Sequence, residues 1–150
     1  MKNIIISIAK PSILENVSLN TSYVGAKSRN DSLEFDKVAT ISEDDTLLTR
    51  FWVEMCGVVT DRLKEFIVSS TGDSEKLSIT LELSNAYDES LSPSVKDDVF
   101  SAIAAGVTAR WLQYTLPERA SEWHQSATSL LERSFSKLCQ RRKPSRNQNQ

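Results

Sequence analysis

Few residues in this chain have the type and spacing to do chemistry. The densest run of carboxylates is Glu43, Asp44 and Asp45, in "SEDDTLLTRFWVEMCGVVTDRLKEFI". Three adjacent acids can hold a divalent cation only if they converge, and consecutive helical residues point in different directions. Directly before an apolar helical repeat, they read instead as charges favoured by a helix N-terminus, each stabilising by about 0.3–1 kcal/mol. His124 is the single histidine, which limits any nucleophilic triad or histidine-built zinc site to one imidazole. Between Trp123 and Gln125 on an amphipathic stretch, it reads as a boundary residue. Cys56 and Cys139 lie in helical stretches beside apolar neighbours. They read as small core residues in a reducing compartment, with a disulfide between the two helices left open. No GxSxG, CxxC, Walker A or GxGxxG pattern occurs, so the expectation is a protein without catalysis, cofactor or metal.

The remaining charge is unevenly spread. Residues 133–150 carry six basic residues and no acid, while residues 1–132 carry twelve against twenty, a net of −8. An acidic body with a basic end points to a negative partner. The candidate partner-binding residues are Arg141, Arg142, Lys143 and Arg146. Three uses are open for them: neutralising nucleic-acid phosphates, complementing a helix C-terminus, or docking on an acidic protein surface.

The elements that would position these residues are mostly helices. At 150 residues one domain is the default, and 39% hydrophobic with 25% charged is ordinary for a globular chain. Four glycines and four prolines argue for long helices rather than a loop-rich sandwich. "KNIIISIAK" alternates at Ile4, Ile6 and Ile8 and predicts a short strand. "PSILENVSLNTSYVGAK" predicts a helix with Ile13, Val17 and Val24 on one face, ended by Gly25, with residues 26–41 as loop. Ser42 is a favoured N-cap for a helix over 42–67 whose stripe is Leu48, Trp52, Met55, Val59, Leu63 and Phe66. "KLSITLELS" is the clearest strand, preceded at "TGDSE" by a hairpin or connecting turn.

Two further helices follow. "LSPSVKDDVFSAIAAGVTARWLQYT" has Ser92 as cap and Pro93 at the first helical position. Ala102, Ala105, Gly106 and Ala109 let another helix approach closely, so this helix is the centre of the fold or of an oligomer contact. Trp52 and Trp111, with Ala102, Gly106 and Ala109, are the expected packing residues. The Pro117 helix is expected to run to about Arg142, before Pro144. The fold class is mainly α, a helical bundle with a minor β-strand or hairpin. The expected organisation is one helical domain over 1–143, with an extension over 1–41 and a core over 42–143. Residues 144–150 are expected to be a disordered basic and polar tail. No apolar run reaches the ~20 residues of a membrane span, and no signal-peptide pattern is seen, so a soluble chain is expected.

The acid-started helix "SEDDTLLTRFWVEMCGVVTDRLKEFI" and the proline-started "LSPSVKDDVFSAIAAGVTARWLQYT" together resemble the head–tail connector (adaptor or neck) proteins of tailed phages. The likeness covers about residues 42–116, and the chain is also similar in general pattern to structural proteins of phages and prophages of gut Bacteroidetes. The resemblance implies a ring, commonly of twelve subunits, beneath the portal protein in the virion neck. Such a ring extends the channel through which DNA passes without sequence-specific binding, and it docks a tail or neck protein. It also implies assembly in the bacterial cytoplasm and a C-terminal segment reaching the portal. The alternatives are a tail-completion protein and a nucleic-acid-binding module using the basic C-terminal tail.

Overall fold

A computed structural model describes residues 1–27, Thr40 and 44–144. The element order is β1 (Lys2–Ala9), α1 (Lys10–Lys27), α2 (Asp45–Arg62), β2 (Ile67–Gly72), β3 (Lys76–Leu83), a 3-10 turn (Glu89–Leu91), α3 (Ser92–Thr115) and α4 (Pro117–Leu138). The chain is mainly helical, with one small antiparallel sheet in the order β1-β3-β2. No helix among the described residues is long and apolar enough to cross a membrane.

Alternation in β1 and β3 makes a one-faced sheet. Ile4, Ile6 and Ile8 are buried with Leu77, Ile79, Leu81 and Leu83, while Ile5 points outward. The register pairs Ile4 with Leu81, Ile6 with Ile79 and Ile8 with Leu77, so the buried sets of the two strands coincide. The first strand is an edge of the sheet whose inner face belongs to the core, and α1 returns its own Ile13, Val17 and Val24 to the same core.

α3 runs through the middle of the core. Val95, Val99, Ala102, Ile103, Val107, Ala109 and Leu112 are all buried, on nearly every side of the helix. Its small residues admit close neighbours. A Cβ placed on Gly106 would overlap the Met55 side chain of α2, with Met55 Cγ only 2.9 Å away. The close approach that Gly106 permits therefore lies within one chain.

Several boundaries differ from the sequence expectation. The helix expected over 42–67 is helical only over Asp45–Arg62, and Ser42 lies outside the described residues. Leu63 is buried beyond the helix end, and Ile67, expected in the helix, opens β2, which pairs with β3 across the "TGDSE" turn as a hairpin. Gly25 does not end α1, which continues to Lys27. Ser92 is the first helical residue rather than the cap, a position held by Leu91. The Pro117 helix stops at Leu138, short of Arg142, because the next residues are captured by the chain before α3. Arg142 N–H donates to Ala86 C=O at 2.6 Å, and Arg141 bridges Tyr87. Cys139, expected in a helix, is the exposed cap of α4, and both cysteines are free thiols.

Candidate functional site

α2 is the element on which the accessible features converge. Its inner face is fixed by Leu48, Phe51, Trp52, Met55 and Val59, all buried. Trp52 is fully enclosed, and its indole N–H donates to Asp73 C=O at 3.5 Å, tying α2 to the β2–β3 turn. That turn is shaped by the Asp73 carboxylate, which accepts from the N–H groups of Glu75 (2.7 Å) and Lys76 (2.8 Å). These bonds hold the carboxyl below its ordinary range.

With the inner face committed, the outer face of α2 carries Val53 and Val58, 52% and 41% exposed, on either side of Gly57. A Cβ on Gly57 would meet nothing within 4 Å. Between the two valines run the exposed Arg50, Glu54 and Asp61, and a recess lies on each side. One, of about 740 Å³, separates α2 from the hairpin and is lined by Val53, Cys56, Gly57, Thr60, Gly72 and Leu77. Burial pushes the Cys56 thiol there up to about 12, so it stays protonated at neutral pH.

The second recess, of about 360 Å³, lies between α2 and α4 over α3. Met55, Val58, Ala127 and Leu131 give it an apolar lining, and Arg110 and His124 stand at one end. Arg110 donates from Nε to Glu54 (3.0 Å) and from Nη1 to Met55 Sδ (2.9 Å). Burial, then the Arg110 charge, lowers the His124 pKa, so its imidazole is neutral at pH 7. At the other end Arg62 makes a two-pronged pair with Glu132 (2.7 and 2.8 Å) and lies 3.7 Å above the Phe135 ring. The recess is thus apolar along its length, with a cationic side chain at one end and an ion pair at the other.

The sequence candidates fall into two places. Trp52, Ala102, Gly106, Ala109 and Trp111 are inside the core. Arg141, Arg142 and Lys143 are exposed beyond α4, on backbone anchored to Ala86 and Tyr87, and Arg146 lies outside the described residues. The basic end is less of a free charge patch than its composition implies. Arg133 and Lys137 both turn inward to Asp98 of α3, at 2.7 and 2.6 Å. The outer face of α2 escaped the sequence reading. Val53 and Val58 look like core residues by type, and only their offset from the Leu48–Trp52–Met55–Val59 stripe marks them as outward.

No family model, curated protein or solved structure matches this chain.

Proposed function

We propose that this chain is a non-catalytic assembly subunit of a tailed-phage neck, a head–tail connector that works through contacts with its own copies and with the portal protein. The observation that carries this reading is the outer face of α2. Val53 and Gly57 border one recess and Val58 the other, exposed apolar positions on either side of a charged strip of Arg50, Glu54 and Asp61, on a helix fixed from behind by Trp52 and Met55. Two apolar hollows beside exposed valines, separated by a charged strip, suit a partner that fills the hollows with apolar side chains and meets the strip with polar ones, as an interface core and its rim do. This face lies within residues 42–116, the part of the chain that resembles connector proteins. Arg141, Arg142 and Lys143 are held at a fixed corner by the Ala86 and Tyr87 backbone bonds, where they suit an acidic portal surface.

The test is co-assembly with a portal ring, read by electron microscopy and pull-down. Val53→Asp with Val58→Asp, at exposed positions, should keep the thermal midpoint and abolish ring formation. Reversing Arg141, Arg142 and Lys143 to Glu retains the backbone bonds and should weaken portal capture. Normal assembly by the α2 double variant would overturn the proposal. So would tight binding to duplex DNA with a salt slope of about −0.9 per contacted phosphate, the mark of a nucleic-acid module.

A further inference from the structure

The two edges of the sheet are built differently. β2 is short and polar after Val68, is broken by a register shift between Ile67 and Ser69, and buries no residue. Such bulged, polar edges are how proteins discourage strand addition. β1 has none of these defences. It pairs with β3 over eight residues with no register shift, contains no proline, and carries charge only at Lys2. Its outward face presents Ile5, 59% exposed.

The direction of its free backbone groups follows from two bonds. Lys10 N–H donates to Glu75 C=O across the β1–β3 line, and Glu82 N–H donates to Phe66 C=O on the β2 side. In an antiparallel ladder these groups alternate, so Ile4, Ile6 and Ile8 point theirs at β3. Asn3, Ile5 and Ser7 point theirs outward. Among the described residues no other element bonds to them. Beside them lies a recess of about 330 Å³ along Lys2–Ile5, walled by Tyr87, Glu89, Ser92 and Lys96.

From this we infer that β1 pairs with β1 of a second copy of this chain, antiparallel about a two-fold axis through Ile5. That register places Asn3 opposite Ser7 and Ile5 opposite Ile5. These are the residues whose N–H and C=O groups face outward, so the edge is complementary to itself. Ile4 then lies opposite Ile6 on the helix-covered face, and Ile5 covers its own counterpart on the open face. Lys2 falls opposite Ile8, so no like charges are opposed. The contact is isologous and closes at two subunits. It goes beyond the neck proposal and stands without it, because it uses a different surface.

Sedimentation velocity of the full chain over a wide concentration range tests this. The wild type should form a dimer, or a larger assembly with a dimeric step. Ile5→Lys sets two ammonium groups face to face and should raise the dimer dissociation constant at least tenfold. Ser7→Pro removes an outward N–H without touching the β3 ladder, and should do the same. Ser70→Lys on β2 should leave association unchanged. At a concentration too low for the wild type to associate, all three variants should melt as it does, which separates lost pairing from lost folding. A wild type that stays monomeric, or an association indifferent to both Ile5→Lys and Ser7→Pro, would overturn the inference.

Discussion

α3 is gripped on two sides by different forces. Against α2 the seam is apolar and set by shape: Gly106 leaves room for Met55, and Trp52 and Val59 are wholly enclosed. Against the C-terminal half of α4 an ion cluster is set into the seam. Asp98, 4% exposed, accepts from Arg133 at 2.7 and 3.2 Å and from Lys137 at 2.6 Å, while Lys137 also reaches Ser94. The first seam is non-directional and indifferent to pH. The second is directional, and its strength depends on keeping a buried carboxylate charged. The difference explains how one helix can be surrounded by a dry core and still be fixed in rotation about its own axis.

The apolar seam breaks most severely by crowding. Gly106→Leu drives a branched side chain into Met55 and displaces the Arg110 Nη1–Met55 Sδ contact. A loss of about 3 kcal/mol, the upper range of overpacking, is expected by denaturant unfolding at pH 7. Gly106→Ala is the sharper comparison. Its helix-propensity gain of about 1 kcal/mol offsets the shift demanded of flexible Met55, so the net change should be small. An equally large loss for Ala would show that Met55 has nowhere to go.

The ionic seam breaks by protonation. Burial by itself would raise the Asp98 pKa, but the hydrogen bonds from Arg133 and Lys137 and their charges together outweigh it and hold the carboxyl below its ordinary 3.8. The folded pKa lies under the unfolded one, so the contribution is complete above about pH 4 and is lost as pH falls through the folded value. Asp98→Asn should cost about 2 kcal/mol at pH 7, within the 1.5–3 range for hydrogen bonds to a charged group. Asp73, Asp88 and Glu132 are lowered as well, so the wild type alone cannot assign the acid loss. The gap between wild type and Asp98→Asn can. It should narrow below pH 4, and a constant gap from pH 7 to pH 2 would remove Asp98 from the account.

The two seams were also unequally legible in the sequence. Alternation located β1 and β3, and three-and-four spacing located the buried faces of α1 and α2, because an apolar residue reports its burial by type. The same rule overshot at the end of α2. Leu63 and Phe66 keep the helical spacing, yet Leu63 is buried from a turn and Phe66 packs beside it before β2. β2 shows in the sequence only through the hairpin turn at "TGDSE", because Ile67 alone is even partly buried and the strand has no alternation. By type and position Asp98 looks like one more charge near a helix start, no different from its neighbour Asp97. Its partners lie 35 and 39 residues away, and only the antiparallel return of α4 brings them together. The α2–α4 recess is hidden for the same reason.

The smallest effect expected is also the one that best isolates geometry from burial. Arg62 and Glu132 form a pair as close as Asp98 and Arg133, at 2.7 Å, across the mouth of the α2–α4 recess. The Glu132 side chain is 52% exposed against 6% for the Asp98 side chain, so water solvates its charge whether or not Arg62 is present, and salt screens what remains. Arg62 also keeps its place over Phe135 without Glu132. Glu132→Gln should therefore leave the thermal midpoint at pH 7 within measurement scatter, and raising salt should not change that. If Glu132→Gln destabilised the chain as much as Asp98→Asn, the recess would be holding itself open by charge. Equal bond lengths would then imply equal contributions, and burial would cease to be the variable that separates the two ion pairs of α4.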